Sequence, residues 1–175
     1  MPKDIEIWEM VGAYPTCGNC GAMNVVRDAW AEWSMTSGDW MLKTVFDDFA
    51  CDKCGETNTP VWKLDKDFRT KRIARLNDEL RHGQLDQATV VVTIGVKSMG
   101  EDFPAKAGQA VVAYNGFSEE NDPHGEHDFG AFEIDDQKLF WKIDPFDEKL
   151  EYHSPDAANP HLTHRVLTIM LACEY

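Results

Sequence analysis

Two Cys-x-x-Cys-Gly turns constrain this chain more than any other feature. The pairs are Cys17/Cys20 in "CGNCG" and Cys51/Cys54 in "CDKCG". Such a turn points two sulfur atoms toward one position, and the following glycine permits the tight backbone turn behind them. Residues 21–50 separate the pairs, which is a zinc-ribbon spacing, so we predict one Zn²⁺ ion bound by four thiolates. Because a closed four-sulfur site has no open coordination position, the metal is predicted to be structural.

The same four cysteines are also compatible with disulfides or with a redox-active dithiol. The opening segment "MPKDIEIWEM" lacks the apolar run of a secretory signal, and no apolar run approaches the ~20 residues of a membrane span. These features predict a cytoplasmic protein, in which thiols stay reduced and metal binding is favoured over disulfides. A fifth cysteine, Cys173, lies in an apolar segment and is interpreted as a small buried side chain.

The charge of the chain is strongly acidic and uneven. The 175 residues carry 31 acidic and 17 basic side chains, a formal net charge of −14. Residues 101–175 alone hold sixteen acidic and five basic side chains, a net charge of −11. Such a surface repels phosphates, which disfavours direct nucleic-acid binding, and it attracts a protein partner with a basic or nucleic-acid-binding surface. The alternative is that the acidity serves only solubility.

A first module is predicted over residues 3–62. The segments 5–10, 24–33 and 40–50 are rich in aromatic and β-branched residues and are predicted as strands of an antiparallel, zinc-stapled meander. So short a module buries little apolar surface, and metal binding is expected to supply much of its stability. The large side chains available for its core are Trp30, Trp33, Trp40 and Phe46.

The second part is predicted to be an α+β domain with a mainly antiparallel sheet. After a charged connection over residues 63–71, Ile73, Leu76 and Leu80 mark an amphipathic helix that ends near Gly83. Its basic side chains are expected to face outward: Lys71, Arg72, Arg75 and Arg81. They are compatible with contacts to a phosphate backbone, and we favour pairing with the acidic second half of the chain.

Strands are predicted beyond that helix. Residues 88–96 and 110–117 are β-branched runs, and residues 128–134 and 138–144 flank a polar turn as a hairpin. Residues 163–175 fit either a helical face or a buried strand. We favour the helix, because the preceding polar segment contains residues that commonly start helices.

Three segments of the second part match sequence motifs of a known family: "NDPHGEHDFG" (121–130), "FWKID" (140–144) and "RVLTIMLACEY" (165–175). Over about residues 72–175 the chain resembles the domain of unknown function family 3768, and the first module resembles the four-cysteine ribbon that accompanies some of its members. The resemblance implies a small bacterial protein of plasmid or phage context. It implies no activity, substrate or catalytic residue.

The loop 121–130 concentrates side chains that bind metals or transfer protons. A structural loop, a partner-contact loop and a metal or acid–base site are all compatible with its sequence, since Pro123 and Gly125 also suit an ordinary tight turn. Other histidines and aspartates could complete such a metal site: Asp144, Asp147, His153, His161 and His164. The candidate functional residues of the loop are Asp122, His124, Glu126, His127 and Asp128.

Three functions are compatible with these patterns, one of which is regulation in which the ribbon helps to bind nucleic acid, supported only by the basic stretch 63–81. The other two are argued from the charge and from the 121–130 loop. The first is a zinc-binding, acidic interaction protein without catalytic activity, for example a counter-defence inhibitor that blocks a restriction or CRISPR complex by charge mimicry. The second is a metal-dependent hydrolase that uses the 121–130 loop. The sequence leaves open whether the protein is an enzyme.

Overall fold

The computed structural model describes residues 5–175. The predicted first residue of the zinc module, residue 3, lies outside this range. The described chain divides into two compact units, of which the first is residues 6–65 and the second contains residues 66–175. Together they give the predicted α+β composition, with small antiparallel hairpins in the first unit and helices with a four-stranded sheet in the second. Within the described residues, no helix is long and apolar enough to cross a membrane.

The first unit begins with a short helical turn instead of the predicted strand. Ile7–Glu9 forms one 3₁₀ turn, in which the Glu6 amide donates to the Glu9 carboxylate and so favours a turn over extended backbone. Strand β1 follows at Ala13–Thr16. It pairs with the last strand of the unit, Val61–Leu64, in antiparallel register.

The predicted long strands of the first unit are confirmed. Strand β2, Val25–Ser34, pairs antiparallel with β3, Asp39–Cys51, and the Val61–Leu64 strand is accordingly β4. Gly38 closes the connecting turn with a φ of 69°, which glycine adopts without strain. Two register shifts bend the pair, one between Arg27 and Ala29 and one between Trp30 and Ala31.

The predicted aromatic core of this unit is wrong. Trp30, Trp33 and Trp40 have relative exposures of 66%, 50% and 64%, and Phe46 is only half-buried. The physical reason is that β2 and β3 form a sheet of two strands, and within residues 6–65 neither a third strand nor a helix covers either face. The rings pair with one another, Trp30 with Phe46 and Trp33 with Trp40, while remaining in contact with solvent.

The helices of the second unit are α1 at Lys66–Arg81, α2 at Ile94–Ser98 and α3 at Phe103–Ala113. The amphipathic helix is confirmed, although it begins earlier than the charged connection suggested. The predicted strand at 110–117 is wrong, since its first half belongs to α3. Phe103, Ala107 and Val111 are buried at four-residue intervals, and this helical spacing outweighs the β propensity of a short valine run.

The sheet of the second unit contains β5 (Ala88–Val92), β6 (Phe129–Ile134), β7 (Gln137–Phe146) and β8 (His164–Leu171). Its order is β5-β8-β7-β6, with β5 parallel to β8 and the other two pairs antiparallel. The predicted hairpin is therefore confirmed as β6–β7. The helix favoured at the end of the chain is wrong: β8 is a central strand, and its pairing on both sides favours extended backbone.

The hydrophobic core of the second unit lies between the helices and one face of this sheet. Alternate residues of β7 and β8 point to that face, and Trp141 and Ile169 are opposite each other in register. Arg81 contradicts the expectation of an outward basic face, because it is 6% exposed. Cys173, predicted to be buried, is exposed. The core residues are Leu80, Val96, Phe103, Ala107, Val111, Leu139, Trp141, Ile143, Leu167 and Ile169.

Candidate functional site

The two cysteine turns have the same backbone geometry. In the first, the Gly21 amide donates to the Cys17 carbonyl over 2.9 Å; in the second, Gly55 donates to Cys51 over 2.8 Å. Gly21 and Gly55 have φ angles of 70° and 73°, a conformation that side-chain-bearing residues rarely adopt. The repeated wording "CxxCG" therefore produces two equivalent turns, each presenting two sulfur atoms on one side.

The four sulfur atoms converge. The Sγ atoms of Cys17 and Cys54 are 3.7 Å apart, as are those of Cys20 and Cys51, and all four lie within 4.8 Å of one another. A tetrahedral site with metal–sulfur bonds of ~2.3 Å has sulfur–sulfur edges of about 3.8 Å. A disulfide requires a separation of about 2.05 Å, so the cysteines are free thiols arranged to fit one tetrahedral metal ion.

Two asparagines that were not predicted from the sequence support the metal centre. The Nδ2 atoms of Asn58 and Asn19 are within 3.7 and 3.8 Å of the Sγ atoms of Cys17 and Cys54. The pKa of Cys17 is lowered to about 6, first because the backbone amide of Cys20 donates to its sulfur. The backbone amide of Asn19 and the side-chain amide of Asn58 lower it further, and burial opposes them. Cys17 and Cys51 are buried and Cys20 and Cys54 are exposed, so protein covers one side of the sulfur cluster.

The 121–130 loop is organised around a buried carboxylate. Asp122 is 7% exposed, and its Oδ1 and Oδ2 atoms accept the backbone amides of Glu126 and His127 over 2.9 and 3.1 Å. These bonds hold a turn in which Gly125 and His127 both have positive φ angles, 65° and 53°. Asp122 therefore has a structural role in the loop, because both of its oxygens are engaged by backbone.

His127 is held from both sides of its ring. Its Nδ1 atom is 3.0 Å from Oδ2 of Asp78 on α1, and its ring stacks on Phe117 with centroids 3.8 Å apart. Asp78 also accepts from the buried guanidinium of Arg81 over 2.5 Å. Asp78 was not predicted as part of this cluster, because its position on the helix gives no indication of a contact with a distant loop.

The remaining candidate residues of the loop do not complete a metal site. His124 is exposed, while Glu126 and Asp128 are half-buried. The pKa of Glu126 and that of Asp128 are raised, in both cases mainly by burial and further by neighbouring carboxylates. Among residues 5–175, the four cysteines are the one group in which three or more ligand atoms come close enough to share an ion. The geometry thus provides no ligand set for the hydrolase hypothesis.

The downstream histidines and aspartates have other contacts. The Nε2 atom of His164 is 2.8 Å from the hydroxyl oxygen of Thr89, and His153 stacks on Phe146. Asp144 pairs with Lys142 over 3.0 Å, so its carboxylate is engaged within its own strand.

A shallow cleft of about 420 Å³ lies beside the loop. It is lined in part by Lys71, Arg75, Asp78, His82 and His127. Arg75 is already paired with Glu79, and the Asp78 carboxylate is already engaged by Arg81 and by the His127 ring. Much of the charge in the cleft is therefore compensated within the protein, which weakens its attraction for a charged ligand.

Comparison with known proteins identifies the second half of the chain. Residues 92–174 match the family DUF3768, described as a protein of unknown function. These residues are a DUF3768 domain. The match includes the 121–130 loop and the strands β6–β8, but α1 and the cysteine cluster precede it. Asp78, which contacts His127 of the DUF3768 domain, therefore lies on α1, outside the matched segment. Searches of curated proteins and of solved structures gave no match.

Proposed function

We propose that this chain is a zinc-binding, acidic interaction protein without catalytic activity, and that its partner has a basic, nucleic-acid-binding surface. The exposed charge of the second unit is the observation that supports this function best. Within residues 101–175, ten acidic side chains are exposed against three basic ones, Lys106, Lys138 and Lys149. A surface of nearly one sign raises the association rate with an oppositely charged protein and repels nucleic acid.

The burial of other basic groups accentuates this imbalance. Arg165 is fully buried, where its Nε atom donates to Asn77, and Lys142 is half-buried in its pair with Asp144. Neither side chain therefore offsets the outer negative charge. Basic residues of a partner that normally bind phosphate groups would meet carboxylates instead, which is the physical content of charge mimicry.

Zinc is the proposed metal of the cysteine cluster. Thiolate ligands in a tetrahedral arrangement favour zinc among the common cellular ions, and a site closed by four sulfurs has no position for substrate. We therefore assign the ion a structural role. It holds together the two cysteine turns, one between β1 and β2 and the other beginning at the last residue of β3, in a unit with few buried side chains.

The biological form of the proposal is inhibition of a bacterial defence complex. The resemblance to a family of plasmid- and phage-associated proteins motivates it, and the acidic surface is what such an inhibitor would use. A type II restriction endonuclease and a Cas9–guide RNA complex, both purified, are suitable probes for the full-length protein. We expect it to bind one of them at about 50 mM salt, to compete with duplex DNA, and to lose most of its affinity at about 300 mM salt.

Charge variants test the surface directly. Changing Glu119→Gln, Glu120→Gln, Asp135→Asn and Asp136→Asn together should weaken binding by about tenfold or more, because rim charges govern association. The matched control is Lys106→Gln with Lys138→Gln, which should strengthen binding. If neither probe binds, or if binding is indifferent to salt and to both sets of variants, the charge-mimicry function fails.

A further inference from the structure

One face of the β2–β3 hairpin carries three consecutive apolar residue pairs in its outer half. Residues paired across an antiparallel ladder point to the same side, and sides alternate along each strand. Ala29 pairs with Val45, Ala31 with Leu42, and Trp33 with Trp40. Ala29, Ala31 and Trp33 alternate along β2 and therefore share one side. On β3 the register shift leaves Lys43 as an extra residue between the partners Leu42 and Thr44, so Leu42 and Val45 face the same side although they are three positions apart. We call this surface the tryptophan face, and it consists of Ala29, Ala31, Trp33, Trp40, Leu42 and Val45.

The tryptophan face is open to solvent. The exposures of Trp40, Leu42 and Val45 are 64%, 67% and 41%. Trp33 and Trp40 pack edge to face with centroids 5.7 Å apart, so the two rings form one continuous apolar surface. Contiguous exposed apolar surface on this scale is uncommon in proteins that act alone, and it marks sites of interaction.

The opposite side of the hairpin is mixed in character and serves as an internal reference. Trp30 lies on that side and packs against Phe46, with centroids 5.0 Å apart. Beside it the Nζ atom of Lys43 is 2.6 Å from the Glu32 carboxylate. One side of the hairpin thus carries an ion pair beside its aromatic groups, whereas the three residue pairs named on the other side are all apolar.

The metal centre holds the base of the hairpin. β3 ends at the ligand Cys51, and β2 begins five residues after the ligand Cys20. A strand of ten residues extends about 33 Å at ~3.3 Å per residue, so the Trp33–Trp40 pair stands near the far end from the zinc site. A long two-stranded hairpin is marginally stable in water by itself, and this one bears its largest apolar side chains where a partner would cover them.

We propose that the tryptophan face docks into an apolar groove of a partner protein, and that lysine and arginine side chains border this groove. Charge selects this occupant. Residues 25–51 contain five acidic and two basic side chains, and both basic side chains are already paired, Arg27 with Asp47 and Lys43 with Glu32. A second copy of the chain would bring the same excess of negative charge, and an anionic membrane would repel it. The inference rests on the proposed function and names the element that would make the contact.

A defined peptide pair tests the chemistry of the face with the full-length, zinc-loaded protein. The probe is a peptide of about eleven residues that alternates Leu and Lys, and its counterpart alternates Leu and Glu. We expect the Leu/Lys peptide to bind, with a blue shift of tryptophan emission as the rings leave water, and the Leu/Glu peptide to bind about tenfold or more weakly.

Single substitutions separate docking by this face from general attraction to an acidic protein. Trp33→Ala or Trp40→Ala should lower the affinity for the Leu/Lys peptide about tenfold or more, as expected for a buried aromatic anchor, and Trp33→Phe should restore most of it. Trp30→Ala is the matched control, since Trp30 is as exposed but on the opposite side, and it should change the affinity by less than about twofold. Leu42→Gln offers a second disruption with little risk to folding, and zinc content verifies the integrity of each variant.

Four outcomes would overturn the inference. Equal binding by the Trp33, Trp40 and Trp30 variants would show that the face is not the contact. Sedimentation equilibrium that gives a dimer lost in Trp40→Ala would assign the face to a second copy. Adsorption to phosphatidylglycerol vesicles that is lost in the same variant would assign it to a membrane. If the Trp variants bind the endonuclease or Cas9 probe normally while the acidic-surface variants do not, the proposed function stands and this inference alone fails.

Discussion

The Nδ1 atom of His127 lies 3.0 Å from the Oδ2 atom of Asp78, although 49 residues separate them in the chain. Asp78 is also bonded to Arg81, whose guanidinium lies 5.2 Å from the ring centroids of both Phe117 and Trp141. One carboxylate thus joins helix α1 to the 121–130 loop and to the aromatic part of the core. The His127 side chain, which the sequence offered as a metal ligand, is therefore engaged in a structural contact with Asp78.

The shared carboxylate predicts a large effect of Asp78→Asn. The substitution keeps the size of the side chain but removes the negative charge beside the buried Arg81, and we expect the free energy of unfolding to fall by about 1–3 kcal/mol. Urea unfolding of the full chain, followed at the transition of the second unit, measures it. The neighbouring Glu79→Gln removes a more exposed pair with Arg75 and should cost less than about 0.5 kcal/mol. Equal effects of the two variants would contradict the central role of Asp78.

Metal removal is predicted to act on one unit of the chain. Cys51→Ser should abolish binding of one equivalent of zinc and unfold residues 6–65, because metal binding worth about 10 kcal/mol or more is coupled to folding in sites of this kind. Elemental analysis gives the metal content, and amide NMR signals report each unit separately. The DUF3768 domain should keep its signals.

Two controls accompany the metal experiment. Cys173→Ser removes an exposed thiol outside the cluster and should leave the zinc content at one equivalent. His124→Ala should also leave the zinc content at one equivalent, since the described residues of the 121–130 loop form no metal-ligand set. A second equivalent of metal that disappears with His124→Ala would restore the hydrolase hypothesis.

Glycine substitutions are predicted to have opposite signs at two positions. Gly130 is paired with the buried Trp141, and a Cβ atom there would lie 2.6 Å from Cε2 of the indole ring. Gly130→Ala should therefore destabilise by about 1–3 kcal/mol through overpacking. Gly108 lies within α3, and an added Cβ atom would meet open space there, so Gly108→Ala should stabilise by about 0.5–1 kcal/mol. Thermal unfolding of both variants decides it, and a neutral Gly130→Ala would show that the indole ring can move.

Glu126 predicts a pH dependence of stability. Burial, and then the charge of Asp128, raise its pKa above the ordinary value of 4.5. The unfolded chain therefore releases this proton at lower pH than the folded chain does. As the pH rises through the interval between the two pKa values, ionisation of Glu126 lowers the free energy of unfolding, and the loss is complete above the folded pKa.

The variant Glu126→Gln removes that penalty. It should be more stable than the parent at neutral pH, and the difference should vanish as the pH falls below 4.5, where the parent residue is protonated in both states. Denaturant unfolding at a series of pH values measures the difference. Glu133→Gln, an exposed carboxylate on β6, provides the matched control. A gain that persists unchanged at low pH would point to packing in place of charge.

Local chemistry explains which elements could be predicted. The cysteine turns follow from residues only three positions apart and a glycine at positive φ, and the β6–β7 turn follows from two adjacent aspartates, Asp135 and Asp136, both at positive φ. Helix α1 follows from the spacing of Ile73, Leu76 and Leu80, all of which are buried. In each case the conformation is decided by interactions between residues that are close together in the sequence.

Long-range pairing explains the errors. The segment 164–171 has residues that fit a helix, yet β5 and β7 on either side provide backbone partners for it, and the strand forms. Trp30, Trp33 and Trp40 are residues of the type that usually fills a core. Their burial would require a layer packed on β2 and β3, and residues 6–65 contain no such layer.

The metal centre could be read from the chain alone, because ligand type, spacing and the glycine conformations are all encoded within the two cysteine turns. The acidic charge could be read in the same way, since it is a property of composition. The roles of the 121–130 loop and of the tryptophans could not be predicted from the sequence, because they depend on which distant residues lie next to these side chains in the folded chain. Asp78 meets His127, whereas no layer of residues 6–65 covers Trp33 and Trp40. The surface through which this protein is proposed to act is for that reason visible only after folding.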